Sequence, residues 1–77
     1  MKKLVIRERE YLVQPRTAQF DGETSFILTG KRGAQYITMR NVKNPHMMFL
    51  NPMKGYSPVM DGVWLSDKNG YPEVVKE

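Results

Sequence analysis

Ser25-Phe26-Ile27-Leu28-Thr29 and Ala34-Gln35-Tyr36-Ile37-Thr38-Met39-Arg40 are two runs rich in β-branched and aromatic residues, separated by Gly30-Lys31-Arg32-Gly33. That pattern predicts two antiparallel strands joined by a tight loop. With a four-residue loop, Thr29 faces Ala34, Leu28 faces Gln35, Ile27 faces Tyr36 and Phe26 faces Ile37, and directly opposed residues share a face of the sheet. One face then holds Phe26, Leu28, Ile37 and Met39, which begins a core. The other holds Ile27, Tyr36, Thr38 and Arg40 below two loop cations, and is the face expected to meet a partner.

Downstream, Asn41 to His46 is a polar link in which Asn44-Pro45 favours a turn, and Met47-Met48-Phe49-Leu50 makes a third strand that ends at Asn51-Pro52. Residues 53–58 have loop composition and Asp61-Gly62 marks a turn. Val63-Trp64-Leu65-Ser66 and Tyr71-Pro72-Glu73-Val74-Val75 flank Asn69-Gly70, a hairpin signal. A two-residue loop sets Leu65 opposite Val74 and Trp64 opposite Val75; a three-residue loop with a glycine bulge would change those pairs. Upstream, Val5-Ile6 favours a strand at about residues 3–8, Tyr11-Leu12-Val13 is a second short apolar run, and residues 15–22 read as a connection because Pro15 and Asp21-Gly22 interrupt the pattern. The expected fold is mainly β: an antiparallel meander of about five or six short strands, curled into a partly closed barrel, with at most one helical turn near the N-terminus.

The chain of 77 residues makes a single domain with a limited core. It has no cysteine, so no disulfide or thiolate site reinforces it. The run Leu4-Val5-Ile6 is too short for an export signal or a membrane span, and the expected location is the cytoplasm. Net charge is +4, and it is segregated. Residues 1–23 carry five cations against four anions, residues 24–60 carry Lys31, Arg32, Arg40, Lys43 and Lys54 with no acid, and residues 61–77 carry two cations against four anions. A field of that shape steers nucleic acid or an acidic protein surface toward one region, although a basic third can equally be a solvated face.

The loop Gly30-Lys31-Arg32-Gly33 can offer backbone N–H groups and two cations to a phosphate, but it lacks the spacing of a P-loop. Its alternative is an ordinary hairpin tip. Tyr36 is the aromatic best placed to stack on a base, while Phe49 and Trp64 are assigned to the core. Met39, Met47, Met48, Met53 and Met60 cluster with His46 without a recognisable ligand spacing, so interface or core packing is favoured over a metal site. No residue constellation specifies a reaction, and neither catalysis nor a cofactor is expected. The sequence thus predicts a non-catalytic, nucleic-acid-associated module binding through Lys31, Arg32, Tyr36, Arg40 and Lys43. The alternative is a small regulator or inhibitor, of the size and composition common among phage and mobile-element chains, that docks its basic, methionine-rich face on a larger enzyme. Exposed strand edges would also allow self-association.

Overall fold

Seven strands follow one another in chain order, each antiparallel to the last: β1 (Lys2–Ile6), β2 (Arg9–Thr17), β3 (Thr24–Gly30), β4 (Gln35–Arg40), β5 (Met47–Pro52), β6 (Trp64–Lys68) and β7 (Tyr71–Lys76). In this computed structural model, which describes residues 2–17, 24–44, 46–54, 62–68 and 71–76, the meander curls into a nearly closed barrel, and none of the described residues is helical. The fold class agrees with the sequence reading, with one or two more strands than expected. The Asn69-Gly70 turn lies outside the described residues, but Lys68 faces Tyr71 and Leu65 faces Val74, the register of a two-residue loop. A bulge at Trp64/Leu65 then sets Trp64 opposite Lys76 rather than Val75.

Period-2 alternation decides what lies inside. Ile6, Tyr11, Val13, Phe26, Leu28, Tyr36, Met48, Leu50, Val63 and Leu65 form the core, and Thr38 is buried with them. Fully burying aliphatic side chains such as Ile6, Leu28 and Leu65 contributes about 1.5–3 kcal/mol each. Both ends of the interior hold aromatic pairs. Tyr11 and Tyr36 meet edge-to-face at 6.0 Å between centroids, and Phe26 stacks with Tyr71 at 5.8 Å. Lys2 Nζ lies 4.2 Å from the Tyr71 ring centroid, which brings the first and last strands together.

The β3–β4 register departs from the expectation by one residue. Gly33 N–H donates to Gly30 C=O at 3.0 Å, Gly30 N–H donates to Ala34 C=O at 2.8 Å, and Gly33 has φ of 88°. The loop is therefore three residues, Lys31-Arg32-Gly33, closed by a glycine in the left-handed region. Leu28 faces Tyr36 and Ile27 faces Ile37. A slip of one residue turns every side chain of a strand over. Tyr36 and Thr38 consequently point inward, and Ile37 and Met39 point outward, the reverse of the expected assignment, while Phe26 and Leu28 are in the core as expected.

Two further corrections concern the N-terminal half. β2 runs through Pro15, where a connection was expected. The β1 ladder begins with Lys2 opposite Val13, so Pro15 lies beyond the end of β1, and its missing N–H faces no strand there. β1 and β2 are joined by the two-residue turn Arg7-Glu8, with φ of 51° and 65°. Those paired positive values define a type I′ hairpin turn that usually selects Asn-Gly. Tyr11 faces Gly30 across β2 and β3, and a Cβ at Gly30 would lie 3.3 Å from Tyr11 Cε1, so the glycine makes room for the ring.

Candidate binding surface

The acid-free stretch of the sequence maps onto neighbouring elements. β3, β4 and β5 are adjacent in the sheet, and residues 24–54, which contain them and both loops between them, include no carboxylate. This forms a continuous sector of the barrel wall without a negative charge. Its outward positions are unusually apolar for a solvated wall: Ile27, Ile37, Met47 and Phe49 are half-buried, and Met39 is 42% exposed. On the next strand Trp64 continues it, also half-buried.

These side chains lie in rows set by the register. Ile27, Ile37 and Asn51 form one row, and Met39, Phe49, Trp64 and Lys76 form the next. Phe49 and Trp64 pack edge-to-face at 6.1 Å between centroids. Asn51 Nδ2 donates to the Met39 thioether at 3.4 Å and holds it beside them. The assignment of Phe49 and Trp64 to the core is thus corrected. Continuous apolarity in Met47-Met48-Phe49-Leu50 hid the alternation, and only the register shows that Met48 and Leu50 take the inward places.

Cations flank the sector at both ends. Because the meander alternates direction, the β1–β2 turn, the β3–β4 loop and the residues after β5 lie at one end of the barrel. Lys31 and Arg32 are exposed there, and Met53 N–H donates to Gln35 C=O at 3.1 Å, which brings exposed Lys54 alongside them. Arg7 and Arg9 add to the same end. At the other end are exposed Arg40 and Lys43. Here Asn41 Oδ1 accepts from Lys43 N–H at 2.8 Å and from Asn44 N–H at 3.1 Å, and Asn44 Oδ1 accepts from His46 N–H at 3.3 Å. Such side-chain turns fix a loop in place of regular ladder bonds. Val42 stands at its tip, 98% exposed.

The five residues singled out in the sequence are therefore divided. Lys31 and Arg32 sit at one end of β4, and Arg40 and Lys43 at the other, roughly 20 Å apart by the rise of about 3.4 Å per strand residue. Tyr36 lies inside, 5% exposed, with its ring against Tyr11 and out of reach for stacking on a base. Sequence reasoning missed Arg7 and Arg9, because Arg-Glu carries no turn signal, and missed the outward Phe49 and Trp64; a three-residue β3–β4 loop with glycine at its last position was the available clue to the faces.

The Tyr11 phenol is pushed above its ordinary pKa, first by burial and then by the neighbouring Tyr36, while Arg9, which hydrogen-bonds it, and Arg7 pull in the opposite direction. A shallow depression of 290 Å³ lies beside it, edged by Lys3, Glu10, Leu12, Thr29 and Lys31. Lys3 and Glu10 form an exposed ion pair there at 4.0 Å, which offers little to a charged ligand. Among the described residues, no three His, Cys, Asp or Glu side chains come together as a metal site would need. No family model, curated protein or solved structure matches the chain. The surface itself carries the reading of function.

Proposed function

We propose that this chain is a non-catalytic cytoplasmic module that binds nucleic acid on the acid-free sector formed by β3, β4 and β5. The observation that supports it most is the gathering of an uninterrupted acid-free stretch into adjacent strands, with Lys31, Arg32 and Lys54 at one end and Arg40 and Lys43 at the other. A polyanion crossing the wall meets positive charge at entry and exit, and no carboxylate between them repels it.

Salt dependence tests this reading. Five cations neutralising phosphates of a single strand give a slope of log K against log salt of about −3.5, so affinity should fall about a hundredfold between 50 and 200 mM salt. Titration of a labelled single strand and a labelled duplex at both concentrations measures it. Absence of binding to either at the lower concentration would reject the reading.

The second reading, a regulator or inhibitor that docks on an acidic surface of a larger protein, is favoured by Val42 at 98% exposure and by Met39 and Met53 at 42% each. Exposed methionines suit an adaptable protein contact. Capture of a partner that persists after nuclease treatment would select it.

A further inference from the structure

We infer that the outward row Met39, Phe49 and Trp64, which crosses β4, β5 and β6, is a stacking platform for the bases of a single strand. This rests on the nucleic-acid reading and names its substrate class as unpaired rather than duplex. The outer wall of a small barrel normally alternates toward polar residues, yet here two aromatic rings and a thioether stand side by side on adjacent strands. The edge-to-face geometry of Phe49 and Trp64 at 6.1 Å lets each ring orient the other, and both remain half-buried rather than enclosed. A cross-strand aromatic pair also stabilises a sheet, so the pair alone would say little.

Charge decides the occupant. Lys76 faces Trp64 in the same row, Arg40 ends the strand that carries Met39, and β4 and β5, which carry Met39 and Phe49, hold no carboxylate, while β6 holds Asp67 beyond Trp64. An apolar, aromatic strip bounded by cations complements a chain whose flat apolar bases alternate with phosphates. Duplex bases stack on one another and present no free faces, so the platform selects single strands. At a strand spacing of about 4.8 Å the row from Met39 to Trp64 covers about 10 Å, room for about three bases stacked about 3.4 Å apart.

Trp64 is the only tryptophan, so its emission reports on the platform in the unaltered protein. The probes are a six-nucleotide oligothymidylate, an abasic phosphodiester of equal length and a polyglutamate peptide, each titrated at low salt. Oligothymidylate should quench Trp64 and bind roughly five- to a hundredfold tighter than the abasic strand. Phe49→Leu, which keeps Trp64 as reporter, should narrow that difference while leaving abasic binding and circular dichroism unchanged. Equal affinity for both strands with unchanged emission overturns the platform and leaves charge-driven nucleic-acid binding standing. Failure of both strands to bind overturns the platform together with the reading it rests on. A response of Trp64 to polyglutamate alone overturns it in favour of an acidic protein partner.

Discussion

Thr38 shows how much can depend on one hydroxyl. Hydrogen-bonding directions alternate along a strand, and since Gly30 N–H bonds Ala34, the residue before β4, Phe26 N–H must point toward β4 as well. It meets Thr38 Oγ1 at 2.8 Å instead of a ladder carbonyl. Thr38 is 2% exposed, so Thr38→Val keeps the shape and orphans a buried donor; stability should fall by about 1–3 kcal/mol in chemical denaturation, and Thr38→Ser should restore most of it. Tyr11 makes a second residue-level prediction. Its phenol stays protonated in the fold above the pH at which the unfolded chain ionises, so its contribution is intact below about pH 10 and is lost as pH rises past the ordinary phenol value. Melting temperature measured from pH 8 to 11 should fall more steeply for the native chain than for Tyr11→Phe, the lysine titrations being common to both. Neither role was legible in the sequence, because both depend on which face Tyr36 and Thr38 occupy, and a single residue of loop length decided that.

At the scale of elements, the strands were legible where composition and boundaries agreed. Ser25 to Thr29 and Ala34 to Arg40 are bounded by glycines and rich in β-branched residues, and both fall within β3 and β4 or directly beside them. The Asn69-Gly70 signal announced a hairpin but left two registers open, and Leu65 opposite Val74 is the pair of the two-residue one. β2 was not legible beyond Pro15, since a proline normally interrupts a ladder, and only the short reach of β1 makes it harmless. The Arg7-Glu8 turn was likewise hidden, because its backbone demands residues that the chain does not supply. Glu8 holds φ of 65° without the freedom of glycine, which carries a strain of order 1–3 kcal/mol. Glu8→Gly should therefore raise stability by about 0.5–2 kcal/mol, read from the denaturation midpoint. It also removes a carboxylate from the basic end that holds Lys31 and Arg32, so the same variant should bind a single strand more tightly at low salt. A lower midpoint would mean that the Glu8 side chain contributes more than its backbone costs.

For the whole molecule, the barrel separates the residues that hold it together from those that face a ligand, and substitutions at each should have separable effects. Leu28 is fully buried at the centre of the core, and Leu28→Ala should cost roughly 2–5 kcal/mol, enough to unfold much of a domain this small. Lys31 and Arg32 are exposed on the loop, and their joint reversal to glutamate should move stability by less than about 0.5 kcal/mol. The segregation of charge was legible from the sequence, but its division between two ends of the barrel was not, since it depends on β4 spanning the wall between Lys31 and Lys43. That separation, roughly 20 Å, exceeds the Debye length of about 8–10 Å near physiological salt. The two ends should then act independently, and losses from Lys31→Glu/Arg32→Glu and from Lys43→Glu should add within about 0.5 kcal/mol for a strand long enough to reach both. The loop reversal alone should lower the salt slope by at least about 1.4. A dinucleotide reaches one end at a time, so combining the substitutions should not produce the same additive loss for it. Isothermal titration of both ligand lengths against the three variants separates the outcomes. Additivity for the long strand alone places the ligand along the wall, and insensitivity to Lys43→Glu at every length would confine binding to the end that carries Lys31 and Arg32.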